Sequence, residues 1–238
     1  MKQDRIVVIT GAGSVFVARF LANGDTVIAT DNRGEELNEL PSHTKLSLVV
    51  GDISKEEDCE KIAELVCKGA KRADVLINCA GHFPINPFEQ MSADNWRHVI
   101  DINLTGNFLM TRAVLPLMKS RGWGRIINVG SASVFEGVPG QAHYVAAKAG
   151  IIGLSRSLAR EFGDYGITVN VVTPGLTSTP SVRNRFPPEM LAKARNARAL
   201  KRDEQAEDLV GTVFFLASPD ADFLTGQIIN VDCGSHMH

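Results

Sequence analysis

The stretch Arg5-Ile6-Val7-Val8-Ile9-Thr10-Gly11-Ala12-Gly13-Ser14 is a short, almost unbroken apolar run that stops at two glycines. A run of that length reads as a β-strand buried on both faces, the condition of a parallel strand covered by helices on either side. Working outward, runs of the same kind recur near residues 26–30, 46–50, 74–77, 125–130, 168–173 and 228–231. Helix-period segments separate them: one over about 93–118, another over about 142–162, and a last over 205–217, stopped before Pro219. Ser54-Lys55-Glu56-Glu57 reads as a capping box that opens a further helix. Strand–helix alternation without repeats or low-complexity linkers predicts right-handed crossovers. The expected fold is α/β, a doubly wound parallel seven-stranded sheet in a single domain over 1–238.

The 238 residues suffice for one such domain with a substantial core. A composition 44% hydrophobic and 22% charged, with a formal charge of -2, gives no reason to expect nucleic acid or an anionic membrane as a partner. Met1-Lys2-Gln3-Asp4-Arg5 shows no signal-peptide architecture, and no apolar run reaches the ~18 residues of a bilayer span. A cytoplasmic location is expected. Cys59, Cys67, Cys79 and Cys233 lie far apart with no CxxC pair, so reduced thiols are expected. No metal site is expected. His236-x-His238 reads as a frayed terminus, and Gly234-Ser235-His236-Met237 resembles an expression-tag scar, out of place at this end.

In such a sheet ligands bind beyond the carboxyl ends of the strands, so the residues just after each strand carry the functional reading. After the first strand, Gly11 and Gly13 let a backbone approach a pyrophosphate, and the helix start at about Ser14 supplies amide donors and a positive dipole. A Gly-x-Gly by itself serves ordinary tight turns equally well. Asp31 ends the second strand, where a carboxylate accepts ribose hydroxyls and repels a 2′-phosphate. That favours NAD over NADP, with Arg33 as a counterweight. Asp52 and Ile53 follow the third strand, near the expected adenine. Asn78-Cys79-Ala80-Gly81 ends the fourth with small residues suited to lie against a ribose.

Further along, Gln141-Ala142-His143-Tyr144-Val145-Ala146-Ala147-Lys148 sets a phenol four residues before an ammonium, on one helix face. The positive charge is expected to draw the tyrosine pKa down from ~10, making Tyr144 a proton acceptor or donor. Tyr-x-x-x-Lys alone is most often solvated helix surface. Ser131, thirteen residues upstream, and Asn103 add weight to the chemical reading.

With these residues in place, the chain resembles the short-chain dehydrogenase/reductase family over essentially its whole length. The resemblance is strongest from Arg125-Ile126-Ile127-Asn128-Val129-Gly130-Ser131 through Tyr144-x-x-x-Lys148 to Val169-Asn170-Val171-Val172-Thr173-Pro174-Gly175, with Thr225-Gly226-Gln227-Ile228-Ile229-Asn230-Val231-Asp232 near the end. It implies a Rossmann-like domain, a catalytic set of Asn103, Ser131, Tyr144 and Lys148, and a nicotinamide amide bonded by Thr177 or Thr179 after Pro174-Gly175. It also implies a homodimer or homotetramer joined through the long helices around Asn103 and Tyr144. Gly81-His82-Phe83-Pro84-Ile85-Asn86-Pro87-Phe88 and Val231-Asp232-Cys233-Gly234 resemble dehydrogenases of secondary alcohols beside aromatic rings or of pyridoxal-type hemiacetals. Enoyl reductases of the superfamily space the tyrosine and lysine more widely, so the gap here speaks for carbonyl or alcohol chemistry.

The chain departs from the family pattern at four places. Cys79 stands for an asparagine, Gly130 for a serine, and Cys233 for a common glycine. The fourth is the fingerprint Thr-Gly-x-x-x-Gly-x-Gly, cut short after Ser14 by about four residues, close to one helical turn. Val17, Phe20 and Leu21 keep their phase toward the sheet, but the pyrophosphate cradle does not survive unchanged. Two readings stand: a short loop, or a fuller chain carrying residues this sequence lacks. The wholeness of the remaining machinery favours the second, which an intact mass above 25.8 kDa would show.

The expectation is an NAD-dependent oxidoreductase moving a hydride between nicotinamide and a small, partly apolar secondary alcohol or carbonyl, with Tyr144 as general acid/base. Ser131 would hydrogen-bond the substrate oxygen, and Asn103 would hold a water linking Lys148 to solvent. Ser133, Val134 and Phe135, with Phe83 and Ile85, line an apolar substrate wall or pack in the core. A lid is expected over 179–202, rich in Arg183, Arg185, Lys193, Arg195, Arg198, Lys201 and Arg202. That charge either draws an anionic substrate toward the cleft or, as the favoured reading, is a solvated face that pairs with acidic neighbours. The alternatives are a ketoreductase of acyl or aromatic ketones, and a cofactor-poor, non-catalytic relative.

Overall fold

In the computed structural model, which describes residues 4–11 and 13–237, seven parallel strands form one sheet in the order β3-β2-β1-β4-β5-β6-β7. They are β1 Ile6–Thr10, β2 Thr26–Asp31, β3 Leu46–Val50, β4 Val75–Asn78, β5 Gly124–Val129, β6 Ile167–Pro174 and β7 Ile228–Val231. Each lies within a residue of its predicted bounds. The helices are α1 Ser14–Asn23, α2 Gly34–Asn38, α3 Glu56–Ala70, α4 Ala93–Ile100, α5 Gly106–Lys119, α6 Ser133–Glu136, α7 Ala142–Phe162, α8 Pro180–Arg185, α9 Pro188–Ala197 and α10 Glu207–Leu216.

Alternate side chains of β1 serve opposite faces. Val7 and Ile9 pack with Phe16, Val17 and Phe20 of α1 and with Leu209 and Val213 of α10. Ile6 and Val8 pack with Ile62 and Val66 of α3 and with Met110 and Val114 of α5. Two buried layers explain why the strands read as unbroken apolar runs rather than alternations. β3 is the exception: it is an edge strand, and Leu48 and Val50 stay exposed beside the short α2. Among the described residues no helix is long and apolar enough to cross a membrane, and the four cysteines are unpaired.

Three local expectations change. α3 opens at Glu56 with no side-chain cap; the Ser54 hydroxyl donates instead to Asp52 Oδ1 at 2.7 Å. Glu56, Glu57 and Asp58 in the first turn satisfy the helix dipole, and Asp58 accepts the Asp52 N–H. The helix predicted over 93–118 is α4 and α5 joined by a π-helical turn, Asp101–Thr105, which carries Asn103. The carboxyl-terminal segment is not frayed as far as it is described. Asp232 accepts the N–H groups of Gly234, Ser235 and His236, and its Oδ2 lies 3.0 Å from His236 Nδ1. The Cys233 carbonyl takes the Ala199 N–H. His238 lies outside the described residues.

The strand order reverses between β1 and β4, because the chain leaves β1 for β2 and β3 and returns to pair on its other side. The crevice beyond the carboxyl ends of those two strands is the place such folds reserve for ligands.

Candidate active site

Lys148 and Tyr144 project from α7 at the end of β5. Lys148 is 3% exposed, and its Nζ donates to the Val129 carbonyl oxygen at 2.7 Å. The same Nζ stands 5.7 Å from the centre of the half-buried Tyr144 ring. Ser131, just past β5, hydrogen-bonds the Tyr144 hydroxyl and takes the Ser133 N–H on its Oγ. Gly130 lets this loop lie flat on β6, since a Cβ there would stand 2.8 Å from Val171 Cγ1 and 2.9 Å from Thr173 Cγ2. A serine there would force those two methyl groups aside.

Burial pushes the Tyr144 phenol up to about 12, and the Ser131 bond offsets this only in part. The same burial lowers Lys148 to about 8. The expectation that the ammonium draws the phenol down is therefore not met by the protein alone: loss of water disfavours both charged forms, and that effect wins. Cys79, at the end of β4, shares this neighbourhood, and burial pushes its thiol up to about 11.

Asn103 is fully buried. Its Nδ2 donates to the carbonyls of His82 at 2.7 Å and Val99 at 2.9 Å, and its Oδ1 accepts the His82 N–H at 3.2 Å. A Cβ on Gly81 would meet Asn103 Oδ1 at 3.0 Å and Lys148 Nζ at 3.7 Å, so both groups flank this glycine. The π-helical turn sits where it brings Asn103 to the β4 end, as such turns often do at functional sites.

On the cofactor side, Thr10 Oγ1 accepts the N–H groups of Cys79 and Ala80 and ties the ends of β1 and β4 together. Reading the sequence missed this residue, although it directly precedes the glycine turn. Gly11, at φ +82, has Ala80 Cα 2.6 Å from where a Cβ would stand; Gly13, at φ +30, has Ile9 Cγ2 at 2.8 Å. Both glycines thus serve the protein's own packing. α1 begins at the exposed Ser14 with no side-chain cap and no acid in its first turn. Phe16, Val17, Phe20 and Leu21 are buried, as the preserved phase predicts. Asp31 is buried at the end of β2; its Oδ1 accepts the Arg33 N–H at 2.9 Å, with the Arg33 Nε at 3.5 Å.

Other expected cofactor contacts are occupied. Asp52 Oδ1 takes the N–H and hydroxyl of Ser54, and Ile53 is packed where Gly106 has no room for a Cβ. Asn78 lies inside the sheet, donating to Thr111 and to Asn128 Oδ1 at 2.8 Å. Thr179 caps α8 through the Val182 N–H, and the Thr177 hydroxyl donates to Glu204 Oε1 at 2.8 Å. Glu204 also takes the Gly175 N–H and faces Arg198 at 3.6 Å. The sequence predicts acidic partners for the basic segment, but not the burial of Arg198 and Glu204 beneath Pro174 and Gly175. Of the basic segment, Arg195 and Arg202 pair with Asp203 and Asp208, as the charge pattern suggested.

On the substrate side, the Ser133 hydroxyl is buried with no partner in the described protein. Phe83 stands edge-on to Tyr144 at 6.1 Å and stacks on Phe186 at 6.5 Å. Phe135 is exposed near the His236 ring, and Ile85 is exposed.

Ser131, Tyr144 and Lys148 thus meet near a crevice at the carboxyl ends of the strands, and comparison with known proteins places the chain in a family. A family model described as enoyl-(acyl carrier protein) reductase matches residues 8–236. The chain is 36% identical to a 3-oxoacyl-[acyl-carrier-protein] reductase of Synechocystis sp., over 95% of this chain and 83% of that one. It is 34% identical to a 2,3-dihydroxy-2,3-dihydro-p-cumate dehydrogenase of Pseudomonas putida, over 99% and 95%. A crystal structure of a short-chain dehydrogenase/reductase from Brucella melitensis, named glucose/ribitol dehydrogenase, matches with a TM-score of 0.91 at 29% identity, covering 99% of this chain and 98% of that one. The chain belongs to the short-chain dehydrogenase/reductase family, and it is an enzyme of that family.

Proposed function

We propose that the protein is an NAD-dependent oxidoreductase that interconverts a small, partly apolar secondary alcohol and its carbonyl, with Tyr144 as general acid/base. The meeting of Ser131, Tyr144 and Lys148 at the end of β5 carries this reading. The chemistry of the crevice suits a dinucleotide. α1 opens without a side-chain cap or an acid, so the positive end of its dipole is open to an anion, and Asp31 ends β2 as an acceptor for ribose hydroxyls. Gly11, Gly13, Ser14, Asp31, Ala80, Gly81, Lys148, Pro174 and Gly175 would hold it. When bound, the nicotinamide supplies or accepts the hydride.

The residues of the chain handle the proton. Ser131 hydrogen-bonds the substrate oxygen and stabilises charge that develops there. Tyr144, held protonated by burial, gives its proton to a carbonyl oxygen, and in the reverse direction it takes the alcohol proton. Lys148 steadies the phenolate left behind. Asn103 fixes the Gly81-His82 turn against Lys148. The raised phenol favours the reducing direction, so a ketoreductase of acyl or aromatic ketones is the second reading.

The segment 179–202 would act as lid, and a homodimer or homotetramer would form through the long helices. Titration with NADH and NADPH, followed by the fluorescence of Trp96 and Trp123, tests the reading together with a panel of aryl ketones, acyl thioesters, sugars and pyridoxal-type alcohols. Binding of NADH and turnover of a ketone are expected. No binding at millimolar cofactor would overturn it in favour of a cofactor-poor relative.

A further inference from the structure

The seven cations between Arg183 and Arg202 are not equivalent. Arg195, Arg198 and Arg202 are neutralised by Asp203, Glu204 and Asp208. Arg185 has no ion pair among the described residues, and it is exposed at the end of α8. Its guanidinium lies over Phe83, 4.7 Å from the ring centre, and its Nη1 donates to the Phe83 carbonyl at 3.2 Å. Phe83 in turn stands edge-on to Tyr144. One flat apolar ring therefore separates the proton-handling phenol from an uncompensated cation. Burial, and then His98, Arg185 and His143, hold His82 below its ordinary value, so this neighbouring imidazole is kept toward its neutral form and no carboxylate is among the groups acting on it. A guanidinium without an ion pair attracts an anion, and it is suited to binding a carboxylate through two parallel bonds.

We propose that Arg185 is a specificity-determining residue that binds a carboxylate on the substrate, across an apolar body lying along Phe83 from the carbon that reacts at Tyr144. This rests on the proposed chemistry at Tyr144.

The test compares 4-acetylbenzoate with its methyl ester, two aryl ketones that differ in the negative charge and in one methyl group. With NADH, wild-type kcat/KM for the carboxylate should exceed that for the ester by about tenfold, mostly through KM. Arg185→Gln should bring the ratio close to one, and Arg185→Lys should keep part of it. Equal losses on both ketones would mean that Arg185 only supports the fold of α8, and would overturn the proposal; so would a wild-type ratio near one. If neither ketone is reduced, the wider substrate panel decides the Tyr144 reading on its own. Calorimetric titration with the two compounds then still decides. Carboxylate-selective binding that Arg185→Gln abolishes supports the proposal, and equal or absent binding of the carboxylate overturns it.

Discussion

Lys148 reaches from α7 to the carbonyl oxygen of Val129, 2.7 Å away, and so anchors its charge at the end of β5 in a place from which water is excluded. Burial leaves its folded pKa at about 8, below the unfolded 10.5. Between those values the unfolded chain keeps a proton that the native one has lost, so this residue makes stability rise with pH across that window. Below pH 8 both states are charged, and the native state bears the full cost of the buried ammonium. Lys148→Met removes that cost. Denaturant midpoints should show the variant gaining most over wild type near pH 7, with the gain shrinking toward pH 10. A difference independent of pH would show that Lys148 is charged at no cost. Groups such as Tyr144, raised to about 12, act oppositely above pH 10 but cancel in the comparison.

Tyr144→Phe keeps the ring that Phe83 packs against and removes only the hydroxyl bonded to Ser131. The kcat for ketone reduction should fall by about 10²–10⁴, the range for loss of a general acid. NADH affinity and thermal stability should change little. In the wild type, reduction should decline as pH rises through about 8, where Lys148 loses the charge that steadies the phenolate. A variant with ordinary kcat would remove Tyr144 from the chemistry.

The sheet was legible because each buried strand is apolar on both sides, and the two layers around Val7–Ile9 and Ile6–Val8 required that pattern. Spacing also placed Tyr144 and Lys148 together, since a helix turn does this without help from the tertiary fold. What one element cannot show was not legible. The sign of the phenol's shift depends on burial by other segments. The capping box at Ser54 lost to Asp52, whose carboxylate competes for the same hydroxyl. Asn78 ends a strand beside the crevice, yet its side chain faces inward, to Thr111 and Asn128. The glycine turn reads from sequence as a cradle; that Gly11 and Gly13 also pack tightly against Ala80 and Ile9 shows only in the fold.

Asp31 bears on cofactor choice through its charge. It is held at the end of β2 by the Arg33 N–H, and Arg33 itself pairs with Glu36 at 2.7 Å; under the proposed NAD preference Asp31 would repel a 2′-phosphate. Like charges brought together in a cleft cost several kcal/mol. Asp31→Ala should therefore lower the NADH-to-NADPH ratio of kcat/KM by about tenfold or more, with both measured on one ketone. A ratio that does not move would place the discriminating charge elsewhere.

Glu204 and Arg198 lie beneath the Pro174-Gly175 turn, 0% and 2% exposed. Arg198 also donates to the carbonyls of Leu176 and Arg202, and Glu204 accepts from Gly175 and Thr177, so the pair fastens the turn to the end of the basic segment. Breaking a buried pair leaves one charge uncompensated, at about 3–5 kcal/mol. Glu204→Ala should lose that much stability in denaturant titration, and Glu204→Gln, which keeps a hydrogen-bond acceptor, should lose less. Gly175→Ala attacks the same contact from the other side, because its Cβ would stand 2.7 Å from Glu204 Oε2. Combining Gly175→Ala with Glu204→Ala should cost less than the two separate losses added, since the alanine methyl then enters space the carboxylate has vacated. Strict additivity would mean that the turn and the pair are independent.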